Sequence, residues 1–339
     1  MVQYDVPADA RPRASGGAQR AAPEPLGPES LTWRYFGDWR GILLALWAGS
    51  MQNMHPQLGA GVEEHSQFFT ERFARLFRSL YPIYGVVYDG ERAATTAREV
   101  RGYHTEVSGV DRHGQAYHAL TPETYYWAHA TFFMGMIVFQ DRLGEGLSEE
   151  AKRALYDESV RWYGLYGMSM RPVPADWEEF QRYWEHMCTS VLEVNNATRD
   201  VLDLSELSRP PALWWLPEPL WRVLRRPVAR GFTWLTVGLY HPAVRARLGY
   251  RWGRGDEAAF RVVGAVTSAC WNLVPFEWRY HPRARAAWRR ARRARAATGT
   301  VETPYRNLPP RAERDSPKHY SPPVEPASRG LSRLTRRFL

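Results

Sequence analysis

The chain of 339 residues has only two cysteines, Cys188 and Cys270, and neither belongs to a pattern with a structural role. There is no Cys-x-x-Cys pair, no cysteine–histidine spacing typical of zinc, and no Cys-x-x-Cys-His motif. A disulfide framework and a cysteine-based zinc site are therefore excluded. Two reduced, buried thiols in a cytoplasmic protein are the interpretation that remains.

Long apolar runs are also absent. Residues 1–29 are rich in Pro, Ala, Gly and Arg and lack the continuous apolar region of a secretory signal. The longest uncharged stretch in the middle of the chain, 124–140, contains His129 and Gln140. It is also shorter than the roughly 20 residues that a spanning helix needs. We therefore predict a buried core helix there and no transmembrane segment.

Several catalytic signatures are missing as well. No His-Glu-x-x-His, Gly-x-Ser-x-Gly, Gly-x-Gly-x-x-Gly or P-loop motif occurs, which argues against a zinc protease, an esterase triad and a nucleotide site. A carboxylate-bridged di-iron bundle needs Glu three residues before His on two helices. The residues three before His104, His129 and His186 are Arg, Tyr and Tyr, so that class is unsupported too.

What the chain does have is aromatic and apolar residues at helical spacing. Aromatics make up 14% of the residues, with 15 Trp, and sustained period-2 alternation is absent. Phe69, Phe73, Leu76, Leu80 and Ile83 recur every three or four residues, which is typical of one buried helix face. We predict an all-α fold with a disordered arm (1–29), a helical domain (30–297) and a disordered, basic, Pro-rich tail (298–339).

Within the helical domain, helices are predicted near 33–54, 66–88, 91–108, 122–143, 149–166, 176–197, 219–240, 243–250, 256–274 and 282–297. A turn-rich element at 109–120 is compatible with a short hairpin. Thr121 with Pro122, and Asp176 with Glu179, are helix-start signals.

The net charge of +9 is uneven, because seven arginines fall within residues 283–295. Such a run can make peripheral contact with an anionic membrane, and the other interpretation is a solvated helix end. No zinc finger or helix-turn-helix pattern accompanies it, so nucleic acid is not an expected partner. The expected location is cytoplasmic, with peripheral membrane contact through 283–295 as an option; the oligomeric state is left open.

Six of the ten histidines lie between residues 51 and 129. Neutral imidazole is the commonest protein metal ligand. His104 follows Arg101 by three residues, and Arg75, Arg78 and Arg98 lie earlier in the same stretch. One histidine, nearby arginines and an apolar pocket suffice for haem b, although this pattern is permissive rather than diagnostic. His129, in the most apolar predicted helix, is a second candidate ligand or a pocket acid/base, with a hydrogen-bonded core histidine as the alternative.

An ordered series of short motifs resembles the family of the fungal endoplasmic-reticulum oxygenase MpaB and the bacterial rubber oxygenases (latex clearing protein). The likeness covers roughly residues 30–295. It implies an all-helical, globin-related domain that carries haem b. The matching pieces are Gly37-Asp38-Trp39-Arg40, His55-Pro56, Gly61-Val62, His65-Ser66, Arg75-Leu76, Val100-Arg101, His104, Gly114, Tyr117, Ala119, Trp127 and His129-Ala130-Thr131.

By this resemblance His104 matches the histidine that binds the haem iron, within a Val-Arg-x-x-His setting. The Arg-x-x-Lys-Thr series on the distal side of the family's haem corresponds to Arg75, Arg78 and Ser79. Arg78 thus replaces a lysine, and a guanidinium is a poor iron ligand because it stays protonated. Arg101, Arg75 and Ser79 are the expected cofactor-binding side chains, and Arg75, Arg78 and His129 the expected catalytic ones.

The resemblance implies a haem-b oxygenase or oxidase that uses dioxygen on an apolar small molecule, such as a prenyl compound or another alkene. Because the distal lysine is missing, a non-catalytic haem or apolar-ligand binder, a sensor or carrier, is the alternative. A helical scaffold that works at a membrane surface through its arginine-rich segment is a third.

Overall fold

The computed structural model describes residues 23–65, 72–210 and 213–294, and the expected tails lie mostly outside these ranges. The prediction of an all-α fold is confirmed. The helices are α1 (Leu31–Tyr35), α2 (Ala45–Asn53), α3 (Pro56–His65), α4 (Arg72–Tyr88), α5 (Ala93–Gly102), α6 (Pro122–Leu143), α7 (Glu149–Leu165), α8 (Trp177–His186), α9 (Asn196–Leu202), α10 (Glu218–Leu239), α11 (Pro242–Arg247), α12 (Arg254–Asn272), α13 (Phe276–Arg279) and α14 (Pro282–Ala294).

Helix α6 is the centre of the fold. It starts with Pro122 in its first turn, as predicted, and carries apolar side chains around its whole circumference. Trp127 and Phe133 are completely buried. Helices α2, α7 and α12 pack directly against it. A helix this apolar has to be enclosed, because leaving a large side chain in water costs about 1.5–3 kcal/mol.

The chain joins this core earlier than the predicted arm suggests. Leu26 is 2% exposed and belongs to the main core cluster, and the Ser30 hydroxyl accepts a hydrogen bond from the Trp33 backbone N–H at the start of α1. Residues 23–29 are therefore part of the folded body.

The helix predicted over 33–54 is interrupted at Gly37 and Asp38. The Asp38 carboxylate caps a short 3₁₀ helix, Trp39–Leu44, through the Arg40 backbone N–H at 2.8 Å. It also accepts a hydrogen bond from the Trp271 indole at 3.0 Å. A side chain at Gly37 would collide with Tyr88 and Ala284. The break is thus imposed by partners far away in the sequence.

The helix predicted over 176–197 is likewise divided. Helix α8 passes into a π-helical turn, Met187–Val191, and the extended residues that follow dock on the end of α2. There the Glu193 backbone N–H donates to the Met54 carbonyl at 2.8 Å. Asn195 then caps α9 through the Thr198 backbone N–H and donates its amide to the Asn53 carbonyl.

The short hairpin expected between α5 and α6 is confirmed. Strands β1 (Ser108–Val110) and β2 (Ala116–His118) are antiparallel, with Gly109 opposite Tyr117. Gly114 in the turn has φ +77°, a conformation that favours glycine. The Tyr117 hydroxyl donates to the Glu64 carboxylate at 2.6 Å, which fastens the hairpin to α3.

The arginine-rich segment is partly a core element, which corrects the idea that all of it faces solvent or a membrane. Arg283 is 1% exposed and donates from Nε to the Asp89 carboxylate at 3.0 Å. It also donates to the Tyr81 carbonyl at 2.9 Å. Its guanidinium crosses α4 at Gly85, where a side chain would overlap it. Further along α14, Arg289 and Arg292 form exposed ion pairs with Glu277.

No helix within the described ranges is both long and apolar enough to cross a membrane.

The buried pair yields a stability prediction. Replacing Arg283 with Met leaves the Asp89 carboxylate buried without its cation, which costs about 3–5 kcal/mol of unfolding free energy. Arg289→Met, at the exposed pair with Glu277, should cost less than about 1 kcal/mol. Urea unfolding followed by circular dichroism measures both, and equal losses in the two variants would contradict a structural role for the buried pair.

Candidate functional site

His104 lies just beyond the last turn of α5. The chain keeps a helical turn there, since the His104 backbone N–H donates to the Arg101 carbonyl at 3.0 Å. The imidazole folds back along the helix, and its Nδ1 lies 2.9 Å from the Val100 carbonyl oxygen. Because a carbonyl can only accept, Nδ1 carries the proton.

This hydrogen bond selects the tautomer whose Nε2 lone pair is available. Among the described residues, no group is hydrogen-bonded to Nε2 of His104. The side chain is half-buried, and burial lowers the pKa of His104 below its usual value, only partly opposed by the bond to Val100. The ring is therefore neutral at neutral pH. Metal-binding histidines typically have one nitrogen bonded to a carbonyl and the other on the metal.

An aromatic wall stands beside His104. The Tyr125 ring meets the imidazole edge to face, with centroids 5.8 Å apart. Tyr163 and Tyr166 of the α7 end pack against Tyr125 at 6.3 and 5.4 Å. Burial raises the pKa of all three phenols, so they stay protonated. The wall therefore adds no charge beside His104.

His129 lies one turn further along α6, on the other side of this wall. It is 3% exposed and surrounded by the rings of Tyr126, Trp162, Tyr163 and Tyr166. Burial lowers its pKa to about 3. Its Nε2 donates to the Ser159 carbonyl at 3.0 Å.

The second ring nitrogen of His129, Nδ1, is buried without a hydrogen-bond partner in the described part of the chain. It is a hydrogen-bond acceptor whose desolvation is not offset.

The two candidate histidines, His104 and His129, are linked through the rings of Tyr125 and Tyr166 rather than by direct contact.

Arg101 ties α5 to the end of α7. Its guanidinium donates to the Gly167 carbonyl at 3.0 Å. Gly167 has φ +65°, and its backbone turns the chain away from α7 at that point. Because a guanidinium has five N–H donors, this contact leaves others for an anionic group.

Arg75, Arg78 and Ser79 lie on α4, which packs against α5. The side chains of Arg75 and Arg78 lie outside the described residues, and Ser79 is exposed. Residues 89–92 connect α4 to α5. The roles expected of Arg75, Arg78 and Ser79 at the site of His104 stay predictions.

The remaining histidines of the stretch have structural partners. The His55 Nδ1 accepts from the Leu58 backbone N–H, and burial lowers its pKa to about 4. His65 bonds the Ser108 carbonyl and His118 the Thr105 carbonyl through Nε2. His113 is exposed and pairs with Glu193. These contacts fix α3 and the hairpin around the end of α5.

Sequence reasoning missed the residues that set the tautomer and the surroundings of His104. Tyr125 carried a usable signal, since it lies four residues before His129 and so shares its helix face. The Val100 carbonyl was equally predictable from the four-residue spacing. Tyr166 and Gly167 were not, because only the packing of α7 on α5 brings them close.

The site has one histidine available rather than a cluster. Within the described ranges, no three His, Cys, Asp or Glu side chains are grouped so that they could hold a metal ion. A haem supplies four ring nitrogens itself and needs a single protein ligand. The chemistry of His104 fits that requirement. A separate cleft of about 630 Å³, lined by α10, lies elsewhere and does not include His104.

Comparison with known proteins gives one family match. The model described as ER-bound oxygenase mpaB/B'/Rubber oxygenase, catalytic domain, matches residues 33–269, which is more than half of the chain. No curated protein matches the chain, and no solved structure does either.

The burial of His129 predicts a pH effect on stability. The unfolded chain binds a proton on this histidine below about pH 6.5, whereas the folded chain stays neutral down to about pH 3. The free energy of unfolding should therefore fall through this window as the pH is lowered, by up to about 1.4 kcal/mol per pH unit for this residue.

In His129→Gln this contribution to the slope of the unfolding free energy against pH disappears. Urea titrations between about pH 4 and pH 7, where the proton linkage acts, would show the loss. Trp162→Phe is the matched control, because it disturbs the same cluster without removing a titrating group. It should lower stability at every pH and leave the slope unchanged. A slope retained in His129→Gln would contradict the assignment.

Proposed function

This chain belongs to the ER-bound oxygenase mpaB/B'/rubber oxygenase catalytic-domain family, and on that premise we propose that it is a haem-b-dependent oxygenase whose iron ligand is His104. Family membership makes the chain an oxygenase, an oxidoreductase that uses dioxygen. The haem, the ligand and the substrate are the parts we propose.

The observation that carries the proposal is the hydrogen bond from His104 Nδ1 to the Val100 carbonyl. It orients the ring, holds the proton on Nδ1 and leaves Nε2 as a neutral donor. Haem b, when bound, supplies an iron that activates dioxygen. The bond to a carbonyl also raises the basicity of the free nitrogen, which strengthens it as a ligand.

The surrounding residues have supporting roles in this proposal. Arg101 is held by Gly167 and offers its remaining donors to a propionate. Tyr125, against which Tyr166 packs, would shield one side of the His104 ring from water. Arg75 and Ser79 of α4, the helix that packs against α5, would contact the cofactor when it is bound. Arg78, as a permanent cation, stabilises negative charge there but takes up no proton.

His129 acts in this proposal as a neutral hydrogen-bond acceptor. Its Nε2 proton is committed to Ser159, and its pKa of about 3 keeps Nδ1 unprotonated at neutral pH. A general acid at neutral pH needs a proton to give, and the folded protein places none on Nδ1. We therefore assign His129 to holding a polar group of the ligand, or of a neighbouring side chain, in the aromatic cluster.

We propose an apolar small molecule as the substrate, with an alkene of the prenyl type as the first to test. The support is the absence of charge within the wall beside His104. The three phenols at the α6–α7 junction are neutral, and the Trp162 indole donates to the Tyr166 hydroxyl at 3.2 Å. Such a surface favours apolar contact over ionic recognition.

Arg78, in place of the family's lysine, supports the second candidate, a haem or apolar-ligand binder without turnover. The two differ in dioxygen consumption. Reduced, haem-loaded protein mixed with prenyl alkenes in an oxygen-electrode cell should consume dioxygen in proportion to the product formed. A haem spectrum without substrate-dependent oxygen uptake would favour the binder.

The ligand assignment predicts the behaviour of two variants. Protein produced with a haem precursor should show a Soret band, and His104→Ala should lose or shift it and reduce the haem measured by the pyridine haemochrome method. His118→Ala is the matched control, since it removes a half-buried histidine of the same segment that is engaged with Thr105. An unchanged spectrum in His104→Ala would move the ligand to another histidine.

A further inference from the structure

The first half of α10 turns apolar side chains outward. In residues 218–230, Trp221 is the one side chain classed as buried, and it anchors the helix in a small second core cluster. Large apolar side chains beside Trp221 on the helix surface are exposed: Leu220, Val223, Leu224 and Val228. Their spacing of three and four residues places them on one stripe.

The turn before α10 carries two more exposed apolar side chains. Trp214 and Trp215 are each 61% exposed. Trp is enriched at protein interfaces and at the interfacial layer of membranes, and large contiguous apolar patches mark surfaces that bind a partner or a membrane. We call Trp214, Trp215 and the exposed stripe of α10 the α10 surface.

A row of positive charge runs along one side of this surface. Arg222, Arg226 and Arg230 are exposed and spaced by four residues, so they form their own stripe next to the apolar one. The acidic residue of α10 is Glu218, at its first turn. The helix therefore combines an apolar outward face with a basic edge.

The basic edge leads into a cleft of about 630 Å³. Four arginines line it, together with Trp234 and Trp252. The one acidic side chain in the lining, Glu206, pairs with Arg225 at 3.1 Å. No described acidic side chain forms an ion pair with the other three arginines, which are Arg226, Arg230 and Arg251.

We propose that the α10 surface binds an anionic phospholipid bilayer, with Trp214, Trp215 and the apolar stripe at the depth of the headgroups. The arginines would bind headgroup phosphates, and the cleft offers room for a headgroup among Arg226, Arg230 and Arg251. A bilayer presents a plane of anionic headgroups directly above an apolar layer. The α10 surface presents basic side chains next to apolar ones, so the two surfaces are complementary. The proposal does not depend on haem or on His104.

The arginines of α14 are less suited to this role. Arg283 is buried against Asp89, and Arg290 donates to the Tyr88 carbonyl. Arg289 and Arg292 are paired with Glu277. On α10 the corresponding charges are exposed and adjoin apolar residues, so the favoured membrane contact moves from 283–295 to the α10 surface.

Vesicle co-sedimentation of the full chain tests the proposal. The probes are phosphatidylcholine vesicles with and without phosphatidylglycerol. We expect the wild type to sediment with the anionic vesicles only. The triple variant Arg222→Gln/Arg226→Gln/Arg230→Gln should lose about a hundredfold in partitioning, because each basic residue near an anionic surface contributes about fivefold. Leu220→Gln/Val223→Gln should weaken binding without changing the net charge.

The matched control is Arg161→Gln/Arg171→Gln/Arg182→Gln, which removes the same charge from other exposed positions. It should bind like the wild type. Equal losses in the two triple variants would overturn the proposal in favour of net charge alone. It would also be overturned if the wild type failed to bind any vesicle, or if light scattering showed a dimer that Leu220→Gln/Val223→Gln converts to a monomer.

Discussion

The enclosure of α6 is the constraint on which the rest of the structure depends. A 22-residue helix that is apolar on every side has no face to give to water, so other helices have to surround it. Helices α2, α7 and α12 do so, and α7 in turn positions the rings of Trp162, Tyr163 and Tyr166. The candidate site lies where this shell meets the hairpin of α4 and α5. The aromatic wall beside His104 is therefore a consequence of the fold rather than a separate feature.

Within that frame, two histidines have opposite hydrogen-bonding states. His104 gives its Nδ1 proton to Val100 and keeps Nε2, whereas His129 gives its Nε2 proton to Ser159 and keeps Nδ1. Both rings are neutral because burial lowers their pKa. Of the two, His104 is half-exposed and His129 is buried. This difference in solvent access makes His104 the candidate iron ligand and His129 an enclosed hydrogen-bond acceptor. The family supplies the oxygenase chemistry, and the tautomers suggest how this chain would divide the roles.

Much of the helical framework was predictable because its signals are local. Pro122 begins α6, and the Asp176 carboxylate caps α8 through the Glu179 backbone N–H as expected. The interruptions were not predictable, since Asp38 is held by Trp271 and the chain after α8 by Met54, each more than a hundred residues away. Local spacing cannot reveal such contacts.

The candidate site could be predicted only in part. The family resemblance named His104 as a ligand, which stays a prediction, while the wall beside it required the packing of α7. The arginine run near the C-terminus misled for a physical reason. Arg283 has the same sequence context as its exposed neighbours, and its burial is explained by contacts with Asp89, just after α4, and with the Tyr81 carbonyl. The expected tails and the side chains of Arg75 and Arg78 lie outside the described residues and stay predictions.

The central claim is that Nε2 of His104 binds a haem iron. Chemical rescue tests this claim most directly. His104→Gly removes the imidazole and leaves its space. If the claim is right, haem-loaded His104→Gly has an altered absorption spectrum, and added imidazole restores the wild-type Soret position by taking the place of the missing side chain. A His104→Gly spectrum identical to that of the wild type before any imidazole is added would contradict it.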